Sequence, residues 1–176
     1  MSHHDLNLDT RLLRLARTRG HSPAAERAVA RFSRLGEHGG VWLGIGAVGQ
    51  VLDAPRRGRW ARATARVAGA YALNTAIKLL VARERPSLPG LPALTDTPTR
   101  LSFPSAHAST SFAGALAYSR LGVPSVPLYA LAASLSMSRL YLGVHFPSDV
   151  LAGALLGTAL GGCGPGARRY PAEGPR

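Results

Sequence analysis

The apolar residues of this chain fall into five blocks: Gly39 to Leu52, Trp60 to Ala82, Ala106 to Leu121, Ser125 to Leu142 and Ser148 to Gly162. Each block approaches the roughly 20 residues with which an α-helix crosses a bilayer. Each also ends at residues that interrupt a helix: Asp53-Ala54-Pro55, a connection with Pro86, Pro89, Pro92, Pro98 and Pro104, the pair Gly122 and Pro124, and the turn Gly143 to Pro147. Short connections make successive helices antiparallel neighbours. The pattern predicts an all-α fold, a membrane-embedded antiparallel bundle of about five spanning helices.

Ahead of the blocks, residues 1–35 are polar and basic, with Leu12, Leu13, Leu15 and Ala16, then Ala28, Val29, Phe32 and Leu35, at helical spacing. Ser22 before Pro23, with Glu26 following, is a helix-start pattern. This stretch is expected to form an N-terminal amphipathic helix, or two, on the membrane surface or on the bundle. The implied organisation is a basic arm over 1–35, a membrane domain over 36–164 and a flexible tail over 165–176. In the last block Gly153, Gly157 and Gly161 share one helical face. Small residues at that spacing let helices approach closely, either inside the bundle or in a homo-oligomer.

Composition changes the picture in two ways. Mean hydropathy is near neutral, but 46% of residues are hydrophobic and only 17% charged, because arginine is concentrated in the arm and connections. The net charge is +12, which points to an anionic membrane surface, an anionic substrate or nucleic acid. Without interleaved aromatic residues or a zinc-binding pattern, no nucleic-acid partner is expected. The single cysteine, Cys163, excludes an internal disulfide and a multi-cysteine metal site. The start of the chain lacks the apolar core and cleavage pattern of a secretory leader. Membrane insertion is therefore expected to rest on the internal blocks.

Candidate chemistry lies in three pieces. Lys78, the only lysine, precedes Arg85-Pro86 at the end of the second block. Pro104-Ser105-Ala106-His107 opens the third. Ser138-Arg139 ends the fourth, with His145 and Asp149 at the start of the fifth. Antiparallel packing brings those four ends to one face of the bundle. A lysine inside an apolar helix is costly and points to function. Lys78, Arg85 and Arg139 suit a phosphoryl dianion. The start of the third helix, with Ser105 and the backbone of Ala106, adds an anion seat. The two histidines supply a nucleophile and a proton donor, and Asp149 can hold a ring and fix its tautomer. One acid is too few for a Mg²⁺ cluster, so no metal and no cofactor are expected. Singly, each residue also has an ordinary reading as cap, loop or packing residue; together, in this order, they do not.

The same three pieces, Lys78-x6-Arg85-Pro86, Pro104-Ser105-x-His107 and Ser138-Arg139-x5-His145-x3-Asp149, resemble the signature of the type 2 phosphatidic acid phosphatase superfamily. The resemblance implies a phosphohistidine mechanism. His145 would attack phosphorus, Asp149 orient it and His107 protonate the leaving oxygen, while Lys78, Arg85, Ser105 and Arg139 hold the phosphoryl group. Ala106 stands where the family usually has glycine, which matters only if that position needs positive φ. The run Thr97 to His107 is most similar to prenyl-lipid phosphatases acting on decaprenylphosphoryl-5-phosphoribose in cell-wall arabinan synthesis. Next come undecaprenyl diphosphate phosphatases, with phosphatidic acid or phosphatidylglycerophosphate as further substrates. The implied partners are a phosphorylated membrane lipid and the bilayer of a bacterial plasma membrane. The competing reading is a non-catalytic protein that binds anionic lipid; the intact pair of histidines with Asp149 counts against it.

Overall fold

The computed structural model describes residues 8–163; the expected tail, 165–176, lies outside them. Seven α-helices form in the order α1 (Leu8–Thr18), α2 (Pro23–Arg34), α3 (Gly40–Leu52), α4 (Arg57–Val81), α5 (Ala106–Ser119), α6 (Ser125–Tyr141) and α7 (Pro147–Gly162). The described residues form no regular strand, only isolated bridges pairing Glu84 with Leu101 and Leu88 with Leu91. The five apolar blocks become α3 to α7, and the arm becomes two helices, α1 packed against α6 and α7 and α2 against α6.

Helix α2 begins where the start signals predicted. Ser22 Oγ accepts from the backbone N–H of Ala25 at 3.2 Å, Pro23 is the first residue of α2 and Glu26 lies in its first turn. Such a cap satisfies one of the amides that every helix start leaves without an acceptor. The arm's basic residues are not all exposed. Arg17 is buried, donating to the carbonyls of Tyr141 at 3.1 Å and Pro92 at 2.7 Å. A cation on the last carbonyls of α6 also complements that helix's dipole. Gly143, at φ +74°, leaves room for it: a Cβ there would lie 2.8 Å from Arg17 Nε.

Helix α5 is the hub, packed against α4, α6 and α7, with nearly all its side chains buried. Its far half joins a core of Trp42, Trp60, Val67, Tyr118, Leu128 and Leu135. Polar atoms within that core are paired. Trp42 Nε1 donates to Ser111 Oγ at 2.9 Å, and Tyr118 donates to the Trp42 carbonyl at 2.8 Å.

Along α7 the small-residue face meets α5 of the same chain. A Cβ added at Gly153 would stand 2.5 Å from the Ser105 carbonyl oxygen, at Gly157 2.2 Å from that of Ser109, and at Gly161 2.7 Å from that of Ala113. The face expected to serve either bundle packing or self-association is thus filled within the bundle.

The five bundle helices are α3 to α7, each either shorter or more charged than an apolar span of roughly 20 residues. No helix among the described residues is both long and apolar enough to cross a membrane. Helices α3, α5, α6 and α7 have 13, 14, 17 and 16 residues. Helix α4 has 25 residues, but it starts within the basic cluster and carries Arg57, Arg59, Arg62, Arg66 and Lys78.

The α5–α7 seam predicts opposite outcomes at two glycines. Gly157→Ala, whose Cβ meets backbone, is expected to lower stability by about 3 kcal/mol or more. Gly69→Ala, where a Cβ meets nothing within 4 Å on exposed α4, should stabilise by roughly 0.5–1 kcal/mol. Thermal unfolding of the purified variants checks both.

Candidate active site

The C-terminal ends of α4 and α6 and the N-terminal ends of α5 and α7 meet at one end of the bundle, as the alternating topology requires. The long connection from α4 to α5 folds back over that end. It leaves α4 through Ala82, which adopts φ +51°, an uncommon left-handed conformation for a residue with a Cβ. It is then tied by Ser102 N–H to the Arg83 carbonyl at 2.7 Å and by Arg85 N–H to the Arg100 carbonyl at 3.1 Å.

Lys78 and Asn74, one turn apart on α4, secure the end of this connection. The Lys78 ammonium is buried and donates to the carbonyls of Leu101 at 3.1 Å, Ser102 at 3.2 Å and Pro104 at 3.1 Å. Asn74 Nδ2 donates to the Pro104 carbonyl at 3.2 Å and to Ser109 Oγ at 2.9 Å. An ammonium has three donors, and here all three go to backbone. Lys78, expected to hold phosphoryl oxygens, therefore positions the loop that carries Ser102, Ser105 and His107.

Helix α5 begins directly after that loop. Ser105 is its N-cap, with Oγ 3.5 Å from the N–H of Ala108, and its own N–H donates to the Asp149 carbonyl at 2.9 Å. The first amides of α5, from Ala106 onward, have no acceptor within the helix and make its start electropositive. Ala106 is not among the positive-φ residues, so alanine in place of the family's usual glycine carries no backbone penalty.

His145 lies in the turn between α6 and α7, with only 3% of its surface exposed. Arg85 Nη1 is 3.2 Å from His145 Nε2. Because a guanidinium only donates, Nε2 is the unprotonated nitrogen with the lone pair. The proton is then on Nδ1, which lies 3.4 Å from Ser102 Oγ and 3.5 Å from Asp149 Oδ2. Burial pushes the imidazole down to about 3; the Asp149 carboxylate opposes that shift, while Arg85 and Arg139 add to it.

Asp149 is fully buried and accepts from four directions. Its Oδ2 takes the Phe146 N–H at 2.8 Å and the Ser102 hydroxyl, and it faces His145. Its Oδ1 takes Arg83 Nη1 at 2.8 Å. Arg83 lies over the Phe146 ring, 4.2 Å from its centroid. Its other terminal nitrogen reaches Asp9 of α1 at 2.9 Å.

On the opposite side, Arg139 Nη1 donates to Ser33 Oγ of α2 at 2.7 Å, while Arg139 Nε is buried with no partner. His107 Nε2 is 2.9 Å from the Ser33 carbonyl. A carbonyl can only accept, so Nε2 carries the proton and Nδ1 the lone pair. Arg139, His145 and Arg85 are all within electrostatic reach of His107.

The structure thus brings together His145, His107, Asp149, Arg85, Ser105, Ala106 and Arg139, with Lys78 beneath them. Four participants were not singled out in the sequence. Ser102 lies inside the quoted run Thr97 to His107, and Arg83 between Lys78 and Arg85, so proximity to the motifs was a usable signal. Asp9 and Ser33 sit in the arm, where nothing in the spacing marked either of them. Among the described residues no group of three His, Cys, Asp or Glu is arranged to hold a metal ion.

Residues 60–166 match the PAP2 superfamily. The chain is 42% identical over 135 residues to decaprenylphosphoryl-5-phosphoribose phosphatase of Mycobacterium tuberculosis, an overlap covering 76% of each chain. Aquifex aeolicus LpxE superposes with a TM-score of 0.76 at 26% identity, over 92% of this chain and 96% of that one. The transmembrane PAP2-type phosphatidylglycerolphosphate phosphatase of Bacillus subtilis shares the fold, with a TM-score of 0.73 at 20% identity over 90% of this chain and 83% of its own. The chain belongs to the PAP2 superfamily.

Two measurements check the geometry around His145. Ser102→Ala removes a donor to Asp149 and the neighbour of His145 Nδ1; a hydrogen bond to a charged group contributes ~1.5–3 kcal/mol, so kcat should fall at least about tenfold. A lowered imidazole pKa keeps the neutral, nucleophilic form present as pH falls. The single-turnover rate of phosphoenzyme formation is therefore expected to persist from pH 7 to pH 5, below the ordinary histidine range of about 6.5.

Proposed function

We propose that this chain is a membrane-embedded lipid phosphatase that transfers a phosphoryl group to His145 and then to water, without a metal ion. The observation that carries the proposal is the setting of the His145 ring: Nδ1 lies beside Asp149 and Ser102 and Nε2 beside the donor Arg85, which together imply the Nδ1–H tautomer with its lone pair on Nε2. That is the state a nucleophilic imidazole needs before it attacks phosphorus.

The roles follow from the geometry. A phosphoryl dianion entering this end of the bundle offers Arg85 a stronger acceptor than a neutral imidazole, which frees the Nε2 lone pair. Arg139 Nε, buried without a partner, and the first amides of α5 supply further donors. His145 Nε2 then forms a bond to phosphorus as the bond to the lipid's ester oxygen breaks. The imidazolium charge left on His145 is balanced by Asp149. Binding of the phosphoryl dianion favours uptake of a solvent proton at His107 Nδ1, the lone-pair nitrogen; His107 then gives that proton to the departing oxygen, so the alcohol leaves neutral. Next His107 Nδ1 accepts a proton from water. The hydroxide equivalent attacks phosphorus, the nitrogen–phosphorus bond breaks and inorganic phosphate departs. Charge on the transferring group is countered by arginine throughout, the part that metal ions play in many phosphoryl transfers.

The substrate we favour is decaprenylphosphoryl-5-phosphoribose, cleaved to the ribosyl lipid and phosphate. The shared identity with a phosphatase of that name supports it, as does the similarity in the run Thr97 to His107. A bacterial plasma-membrane location is supported by the fold shared with a transmembrane enzyme. It is also supported by outward-facing apolar residues on four helices, among them Val51, Leu80, Val126 and Leu151. An apolar exterior of that extent suits contact with lipid.

Phosphate release by purified protein tests the proposal. The wild type is expected to hydrolyse the phosphoribosyl lipid faster than undecaprenyl diphosphate or phosphatidic acid, and to do so unchanged in EDTA. His145→Ala should abolish release. EDTA-sensitive turnover would rule out the metal-free mechanism, and preference for the diphosphate would move the assignment to that lipid. Ala106→Gly should stay within a few fold of wild type; a large gain would mean that the position needs positive φ after all.

A further inference from the structure

The family match begins at residue 60, so α1 and α2 lie ahead of it, yet two buried polar connections run from these helices into the site. The first is Ser33. It is 1% exposed, its hydroxyl lies 2.7 Å from Arg139 Nη1 and 3.0 Å from Ser138 Oγ, and its carbonyl accepts from His107. The second is Asp9, which accepts from the Ser148 N–H at 2.9 Å, from the Ser148 hydroxyl and from Arg83, the same arginine that donates to Asp149.

Gly36 decides whether these contacts are more than packing. Its backbone is ordinary, with φ −88° and ψ −5°, so any residue could adopt it and conformational freedom does not explain the glycine. Space does: a Cβ would lie 2.6 Å from His107 Cδ2 and 3.1 Å from Nε2. Gly36, the residue after the arm, leaves a gap shaped to the imidazole, and the arm puts one acceptor, the Ser33 carbonyl, at its Nε2.

We infer that the N-terminal arm is part of the catalytic site: Ser33 and Gly36 position His107 so that it exchanges its proton through Nδ1, and Asp9, through Arg83, positions the carboxylate that orients His145. The inference rests on the roles proposed above for the two histidines. The Ser33 carbonyl does for the acid what Asp149 does for the nucleophile: it fixes one nitrogen and commits the other to chemistry. These are positioning residues and touch no substrate atom.

A proton donor matters most for a poor leaving group, so the test compares two esters on the full-length protein. The phosphoribosyl lipid expels an alkoxide, which needs a proton; p-nitrophenyl phosphate expels a stabilised phenolate, which does not. The parameter is kcat/KM, which reports the steps through phosphoenzyme formation. His107→Ala should lose about 100-fold or more on the lipid, the usual size of acid–base assistance, and far less on the aryl ester. Gly36→Ala should reproduce that selectivity with an unfolding transition close to wild type. Equal losses on both esters, or no loss, beside a selective His107→Ala would overturn the inference. A non-selective His107→Ala would instead overturn the acid role itself, and this inference with it.

If Gly36→Ala does not fold, Asp9→Asn reads the other connection. It should lower kcat/KM on both esters alike, because both depend on attack by His145, and Asp9→Glu should restore part of the loss. Wild-type rates in Asp9→Asn would show that the arm does not act through Arg83.

Discussion

Asp149 is an ion with no exposed surface, and an isolated carboxylate in such a place costs several kcal/mol in desolvation. Its position therefore depends on donors arriving from every side. The amide of Phe146 comes from the start of its own helix, the hydroxyl of Ser102 and the guanidinium of Arg83 come from the α4–α5 connection, and the Nδ1–H of His145 comes from the preceding turn. Each donor has a support of its own: Lys78 holds the carbonyl of Ser102, and Asp9 holds Arg83. Satisfying one buried charge thus ties α1, α4, the long connection and α7 to one another. A network of this kind is rigid when complete and costly when any member is lost.

This dependence explains what could be read from the sequence. The five bundle helices were legible because apolar blocks ended by proline, glycine and aspartate leave few alternatives. The converging motifs were legible because alternating helix direction fixes which ends meet. The arm's part in the site was not. Its contact with His107 is a backbone carbonyl, which every residue possesses, and Gly36 matters for the atoms it lacks. Arg83 and Ser102 lay in plain view within the motif region, but nothing in their spacing said that they serve Asp149 and not the substrate.

Lys78 shows a different limit. A lone lysine in an apolar helix is a sound pointer to function, and its place beneath the site agrees. The sequence could not say which acceptors would take its three protons. With carbonyls of the connection as those acceptors, the ammonium acts on the phosphate seat from below, by charge and by holding the loop. The donors that remain at the seat are Arg85, Arg139 and the start of α5. Arginine at those positions is consistent with planar recognition of phosphoryl oxygens.

The glycine face of α7 has a consequence for the chemistry as well as for packing. His107 rides on α5, while His145 and Asp149 are carried at the head of α7, so the gap between the acid and the nucleophile proposed above is set by how closely those two helices lie. At Gly153, Gly157 and Gly161 the nearest atom across the seam is a main-chain oxygen, which has no rotamer to change. The seam is therefore a gauge block. An in-line transfer needs attacking nitrogen, phosphorus and departing oxygen to fit one fixed span, and here that span is kept by the hard contact of main chains.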